Sequence, residues 1–528
     1  MRSRLLNLSL NLSLNLSLVR ACALPLLLVY AAQTAAASDE LSVLAQELRQ
    51  GKTTAQEVLA SYQAKIQLTN PLLQAVLTIN PQAQADAIAV DQQGPRRGSL
   101  AGLPILLKDN IDARGMVTTA GSLALADNLA QKDASVVARL RAAGVIIAGK
   151  ANLSEWANLR SSLSSSGWSS AGGQTRNPYA PQSSPCGSSS GSGAAVAARL
   201  IPAAIGTETD GSIVCPASVN GLVGLKPTVG LVSRSGIVPL SHSQDTAGPM
   251  TLTVRDAAML LNAMAGSDVH DPATLQADRR RSKDYTAGLK TSALQGVRLG
   301  IVRKMVDGYD AETRALFERS LAILIAHGAT IVDQIDLPYL EELDKDELTV
   351  LLYEFKADLN TYLAATPAAV KTRTMADVIA FNKQHAATVM PHFGQELMEQ
   401  AQATPGLQDA VYRQAAARIK SRAGKQGIDA VLKKYRLAAL IAPTTGTAWA
   451  IDYKAGDVVA GSASTPAAVA GYPHLTVPMG LVRGLPVGLS LFAGAWSDAR
   501  LLNMGYAFEQ ARPALPAPAL LQPPPMTR

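Results

Sequence analysis

Residues 184–216 read SPCGSSSGSGAAVAARLIPAAIGTETDGSIVCP. A loop of serine and glycine leads into a small-residue helix expected over 194–200. An apolar stretch follows, and then a second serine, Ser212, placed directly after Gly211. Inside this segment GSSSG at 187–191 fits G-x-S-x-G, the nucleophile elbow of α/β-hydrolases. That elbow needs a strand immediately before it, whereas Pro181, Ser183, Ser184 and Pro185 stand there. It also needs an Asp and then a His downstream, and no context marks either. The elbow is rejected, and Ser188, Ser189 and Ser212 remain as hydroxyls to be explained.

Working outward, residues 105–107 (ILL, behind Pro104) and 144–148 (GVIIA) are short apolar runs suited to buried strands, with helical spacing over 134–143 between them. Strand, helix, strand is the α/β pattern. GVIIAGKA at 144–151 nearly fits a phosphate loop. Position 151 is Ala, however, which leaves no hydroxyl for magnesium, and strand formers separate the glycines. It reads as a strand ending in a turn. Residues 41–68 predict two amphipathic helices parted near Gly51, with Thr53 and Thr54 available as caps. Residues 250–435 read as mainly helical and carry no chemical motif, whereas 437–442 (LAALIA) and 475–478 return to strand-like runs. The proline-rich end, 512–528, predicts an extended or disordered tail. No long charged or Ser/Gly linker interrupts the rest, so a single catalytic domain is expected over 38–511.

Composition excludes several classes. The aromatic fraction is 4% and the basic residues are scattered, which is not the basic, stacking surface that binds nucleic acid. The six histidines are dispersed and no C-x-x-C or H-E-x-x-H spacing occurs, so neither a metal nor a cofactor is expected. Residues 1–37 combine Arg2, Arg4 and Arg20 with the apolar run 21–32 and then Ala35-Ala36-Ala37. That is the layout of a secretory signal with cleavage before Ser38, and the run is too short to span a bilayer. The threefold NLSL repeat over 7–18 keeps open the alternative of a non-functional extension and a cytoplasmic protein. Removing three arginines lowers the formal charge from +7 to +4, so the basic balance says little about partners. Cys186 and Cys215 would then be the remaining thiols, bonded or free.

The 184–216 segment resembles the signature stretch of amidase-signature enzymes, including the spacing of 24 from Ser188 to Ser212. The resemblance extends in order along residues 40–510. LPILLKDN (103–110) matches the family's lysine motif. GLKPTVG (224–230), DTAGPM (245–250), AGYPHLTVPMG (470–480) and GLPVGL (484–489) match later blocks. NLSEWAN (152–158), GGQTRNPY (172–179), LLYEFK (351–356) and FGQEL (393–397) are similar to bacterial peptide amidases, which remove the C-terminal amide of peptides. Val214 stands where many members have Arg, which weakens any expectation of an acidic substrate group.

The resemblance implies a large twisted mixed β-sheet surrounded by α-helices. It also implies a Ser-Ser-Lys triad, with Ser212 as nucleophile, Ser188 as relay in a cis peptide bond, and Lys108 as base. An amide carbonyl is a poor electrophile, so the attacking hydroxyl needs such a base. Lys108 ends an apolar run, where burial disfavours the ammonium form. Backbone N–H groups of Thr209, Asp210, Gly211 and Ser212 are candidates for the oxyanion hole, worth about 10²–10³ in turnover per donor. Ser189 is expected to support the network. Asp210 is read as part of this turn rather than as the acid of a histidine triad. The expected reactants are a small-molecule or peptide amide and water, acted on by a monomer or homodimer without stable membrane association. The alternatives are an amidase subunit of an aminoacyl-tRNA amidotransferase and an inactive peptide-binding relative.

Overall fold

The computed structural model describes residues 40–94 and 98–521. The expected signal segment and the last residues of the expected tail lie outside these. Eleven strands form one sheet. In chain order they are β1 Val76–Ile79, β2 Pro104–Lys108, β3 Ile146–Ala151, β4 Ala203–Glu208, β5 Val223–Lys226, β6 Thr246–Thr251, β7 Arg298–Ile301, β8 Thr330–Val332, β9 Ala439–Pro443, β10 His474–Val482 and β11 Leu485–Phe492. Their spatial order is β1-β3-β2-β4-β6-β5-β10-β11-β9-β7-β8. β2 pairs in parallel with β3 and β4, and β7 with β8 and β9; the remaining pairs are antiparallel. The sheet is therefore mixed, and every residue of β2, β3, β4 and β6 is buried. Burial on both faces is why β2 and β3 read as apolar runs rather than as alternation.

Helices cover the sheet. α1 (Glu40–Gln50) and α2 (Ala55–Leu73) are parted at Gly51, and Thr54 caps α2 in a capping box with Glu57. α3 (Ser135–Ala142) connects the parallel strands β2 and β3. α4 (Ser190–Ala197) begins four residues before its expected start and is buried throughout. Serine and glycine are weak helix formers, which hides its first turn in the sequence. Packing explains their use, because a Cβ on Gly191 would lie 2.3 Å from the Ala75 carbonyl oxygen and 2.5 Å from that of Asn152. α5 (Val214–Val219) follows Ser212, and α6 (Leu343–Ala364) is the long helix of the central tract.

That tract is not wholly helical, since it supplies β7 and β8, and β6 runs up to its start. Pro249 argues against a strand at β6, because proline donates nothing to a ladder; here it pairs with Ile205 across β4. The first part of the expected tail, 512–518, is extended but docked: Tyr179 Oη donates to the Pro516 carbonyl at 3.1 Å. Among the described residues no helix is long and apolar enough to cross a membrane.

Candidate active site

β2 ends in Lys108, whose side chain is completely buried. Its Nζ lies 2.7 Å from Ser188 Oγ, 2.9 Å from Thr207 Oγ1 and 3.2 Å from the Thr207 carbonyl oxygen. Asn110 Nδ2 donates to the same Thr207 hydroxyl at 3.0 Å. Burial brings the Lys108 pKa down to about 7, against the opposing charges of Asp245 and Glu208. A neutral amine is therefore available near neutral pH.

Ser188 follows a cis Gly187–Ser188 peptide bond and is fully buried. Next to it, Ser189 ties the two serine loops together. Its N–H donates to the Ser212 carbonyl oxygen at 3.1 Å. Its hydroxyl donates to the Thr207 carbonyl at 3.0 Å and accepts from the Thr207 N–H at 3.2 Å. A disulfide joins Cys186 to Cys215, two residues before Ser188 and three after Ser212. The sequence leaves that pairing open; the fold makes it, and it fastens the same two loops.

Ser212 is 8% exposed and follows Gly211 at φ +77°, a left-handed conformation that suits glycine. Glu208 Oε2 accepts the N–H groups of Ile213 at 2.7 Å and Val214 at 2.9 Å, anchoring the start of α5. The N–H groups of Thr209, Asp210, Gly211 and Ser212 are not donated to any acceptor among the described residues. A free run of donors beside a serine hydroxyl is what an oxyanion requires. The Thr209 hydroxyl donates to Asp245 Oδ1 at 2.6 Å, and Asp245 Oδ2 accepts the N–H groups of Leu240 and Ser241. Burial raises the Asp245 pKa to about 6. Asp210 accepts from Thr465 Oγ1 at 2.7 Å. No histidine bonds to its side chain among the described residues.

Lys108, Ser188, Ser189, Ser212 and the 209–212 turn are thus brought to one place. Thr207, Asn110, Glu208 and Asp245 join them without any mark in the sequence, although each lies inside or beside a quoted block. A cavity of about 490 Å³ adjoins the site, walled in part by Asn110, Thr207 and Thr209. His242 and Asp358 line this cavity, and with the buried Glu354 they bring possible metal-ligand atoms within 4.8 Å of one another. Both ring nitrogens of His242 already face carboxylates, Nδ1 at 2.9 Å from Asp358 and Nε2 at 3.3 Å from Glu354. This is the geometry of an imidazolium clasp, and the hydrogen bond to Asp358 raises the His242 pKa.

Residues 57–502 match the protein family described as Amidase. The chain belongs to the amidase signature family. A protein of Arabidopsis thaliana described as a probable amidase is 38% identical over 475 residues, covering 87% of each chain. A glutamyl-tRNA(Gln) amidotransferase subunit from Halorhodospira halophila is 35% identical, covering 88% of this amidase and 95% of that protein. The crystal structure of the native peptide amidase from Stenotrophomonas maltophilia superposes with a TM-score of 0.87 at 47% identity, over 92% of this chain and 99% of that one. A peptide amidase bound to the competitive inhibitor chymostatin is similar at 48% identity and a TM-score of 0.87, over 90% and 98% of the two chains.

Proposed function

We propose that this amidase hydrolyses the C-terminal carboxamide of peptides through an acyl-enzyme on Ser212, with Ser188 as relay and Lys108 as base. The observation that carries the reading is the contact of Lys108 Nζ with Ser188 Oγ at 2.7 Å in a site where the lysine loses its proton near pH 7. A neutral amine has two N–H donors and one lone pair. The Thr207 carbonyl and hydroxyl take the two donors, which turns the lone pair toward the Ser188 hydroxyl.

Ser212 Oγ attacks the carbonyl carbon and passes its proton to Ser188, which passes its own to Lys108. The carbonyl oxygen, now negative, is met by N–H groups of the 209–212 turn. The same relay returns a proton to the amide nitrogen as the carbon–nitrogen bond breaks, and ammonia leaves. Water then attacks the ester by the reverse proton route, freeing the peptide acid and Ser212. General-base help of this kind is worth roughly 10²–10⁴ in rate.

The peptide substrate is inferred from similarity to the peptide amidases and from Val214, which puts an apolar residue rather than a cation beside Ser212. Export is supported by the Cys186–Cys215 disulfide, since such bonds persist in oxidising compartments. In this reading the enzyme acts alone, as monomer or homodimer, on an amide and water. The relatedness to amidotransferase subunits favours a second reading, in which partner subunits would copurify from the native host.

The test is ammonia release and product mass from a short C-terminally amidated peptide, with Ser212→Ala alongside. Ammonia with an intact backbone, lost in the variant, is expected. Turnover of simple amides but not of the peptide would remove the substrate claim, and no turnover of either would remove the hydrolase reading.

A further inference from the structure

The turn that offers the oxyanion donors has an acid beneath it that the triad does not use. Glu347, on α6, is 7% exposed and neighbours the buried carboxyl of Asp210. Gln244 Nε2 donates to Glu347 Oε1 at 2.7 Å and to the Thr209 carbonyl at 3.4 Å, so one amide bridges α6 to the turn. Asp210 Oδ2 takes the Thr465 hydroxyl, while Asp210 Oδ1 is buried with no ordinary donor. A buried carboxylate oxygen without a donor is costly. The Ser464 hydroxyl also lies beside Asp210 and shares a hydrogen bond with Ser462 at 2.9 Å in which either oxygen can be the donor. The carboxyl of Glu347, set beside Asp210, is a further group that can donate to it once protonated.

Resting on the reading of Ser212 as nucleophile, we propose that Glu347 is a positioning residue whose protonated carboxyl donates to Asp210, holding the 209–212 turn in its donor geometry with one negative charge beneath it instead of two. Two ionised carboxylates in contact would repel each other and oppose the negative charge that grows on the substrate oxygen. The shared proton removes both penalties. The surroundings favour it. Burial, then the charge of Asp210, pushes the Glu347 carboxyl well above its usual range, and burial raises Asp210 as well. Asp344 on the same helix adds negative charge to both, Glu208 faces Asp210 from β4, and the buried Lys226 on β5 is the opposing cation.

Glu347→Gln keeps a donor and removes the ionisation; Glu347→Ala removes both. The two variants and wild type are compared by pH profile on an amidated peptide and by infrared difference spectroscopy of the protonated-carboxyl C=O stretch. Glu347→Gln is expected to hold kcat within about threefold at neutral pH, to lose an alkaline decline present in wild type, and to lose one carboxyl band. Glu347→Ala is expected to lower kcat about 10–100-fold with KM little changed, as a displaced oxyanion turn would. An unchanged band in Glu347→Gln, or a Gln variant as impaired as the Ala variant, overturns the proposal. So does an alkaline limb identical in wild type and Glu347→Gln. If Glu347→Ala does not fold, the Gln variant and the band decide. Wild type without amide turnover would sink the hydrolase reading instead, while the band still tests the shared proton by itself.

Discussion

Lys108 Nζ and Ser188 Oγ stand 2.7 Å apart, and neither side chain is exposed to solvent. With no water to hold the charge, the amine is poised to trade its proton within the range where enzymes work. The kcat/KM of the amidase on an amidated peptide is expected to rise with pH through a midpoint of about 7, as Lys108 becomes neutral. A profile flat across that pH would remove Lys108 as the base.

The same depression has a stability consequence. The unfolded chain holds the Lys108 proton up to its ordinary pKa of 10.5, and the folded chain only to about 7. Between these values unfolding takes up a proton, so stability rises with pH and the buried lysine is a burden at pH 7. Lys108→Met is expected to melt at a higher temperature than wild type at pH 7 while losing turnover. A lower melting temperature would show that the amine contributes more through Thr207 than it costs by burial.

The Cys186–Cys215 bond closes a loop of 29 residues that contains Ser188 and Ser212. Chain-entropy arguments put such a closure at about 3–4 kcal/mol. Cys215→Ser is expected to lower the melting temperature by a few degrees and to reduce kcat, because the two serine loops lose a tie. Full activity with an unchanged melting curve would mean that Ser189 and Glu208 suffice to hold them.

Much of this site is legible in the sequence through its resemblance to amidase-signature enzymes, for identifiable reasons. Lys108 stands out by its place in LPILLKDN, and Ser188 and Ser212 by the spacing of 24 within the signature-like segment; alone, each is an unremarkable lysine or loop serine. Thr207 and Glu208 lie in the same segment without any mark of their roles, since those roles are contacts across strands. Glu347 has no local sign at all: it sits on α6, whose polar face resembles that of any surface helix, and meets Asp210 only in the fold. β6 is hidden by Pro249 and β7 and β8 by the helices around them, as short buried strands carry little periodicity.

Arg160 and Glu155 form an ion pair at 2.9 Å with both side chains fully buried. Arg160 also donates to the carbonyls of Val389 and Phe393 and lies 4.2 Å over the Phe393 ring, tying the serine-rich stretch to the central helical tract. Removing one partner leaves a buried charge, and Arg160→Ala is expected to lose about 3–5 kcal/mol. A Glu155→Leu, Arg160→Met double variant should be less destabilised than Arg160→Ala, measured by denaturant unfolding. Equal losses would mean that the carbonyl contacts, not the ion pair, carry the effect.

Gly191 offers the sharpest steric test, because α4 carries it against the backbone of Ala75 and Asn152. A Cβ there would meet the Ala75 oxygen at 2.3 Å, the Asn152 oxygen at 2.5 Å and the Asn152 nitrogen at 2.6 Å. These are main-chain atoms just before β1 and just after β3, so no side chain can rotate away. Relief requires α4 to lift, and the loop holding Ser188 would lift with it. Gly191→Ala is expected to cost about 3 kcal/mol or more and to depress kcat. Gly288→Ala is the control: nothing lies within 4 Å of the added methyl, and the change should stay within about 0.5 kcal/mol. Equal melting temperatures for the two variants would mean that the serine loop yields to α4, and that its position is not fixed by this packing.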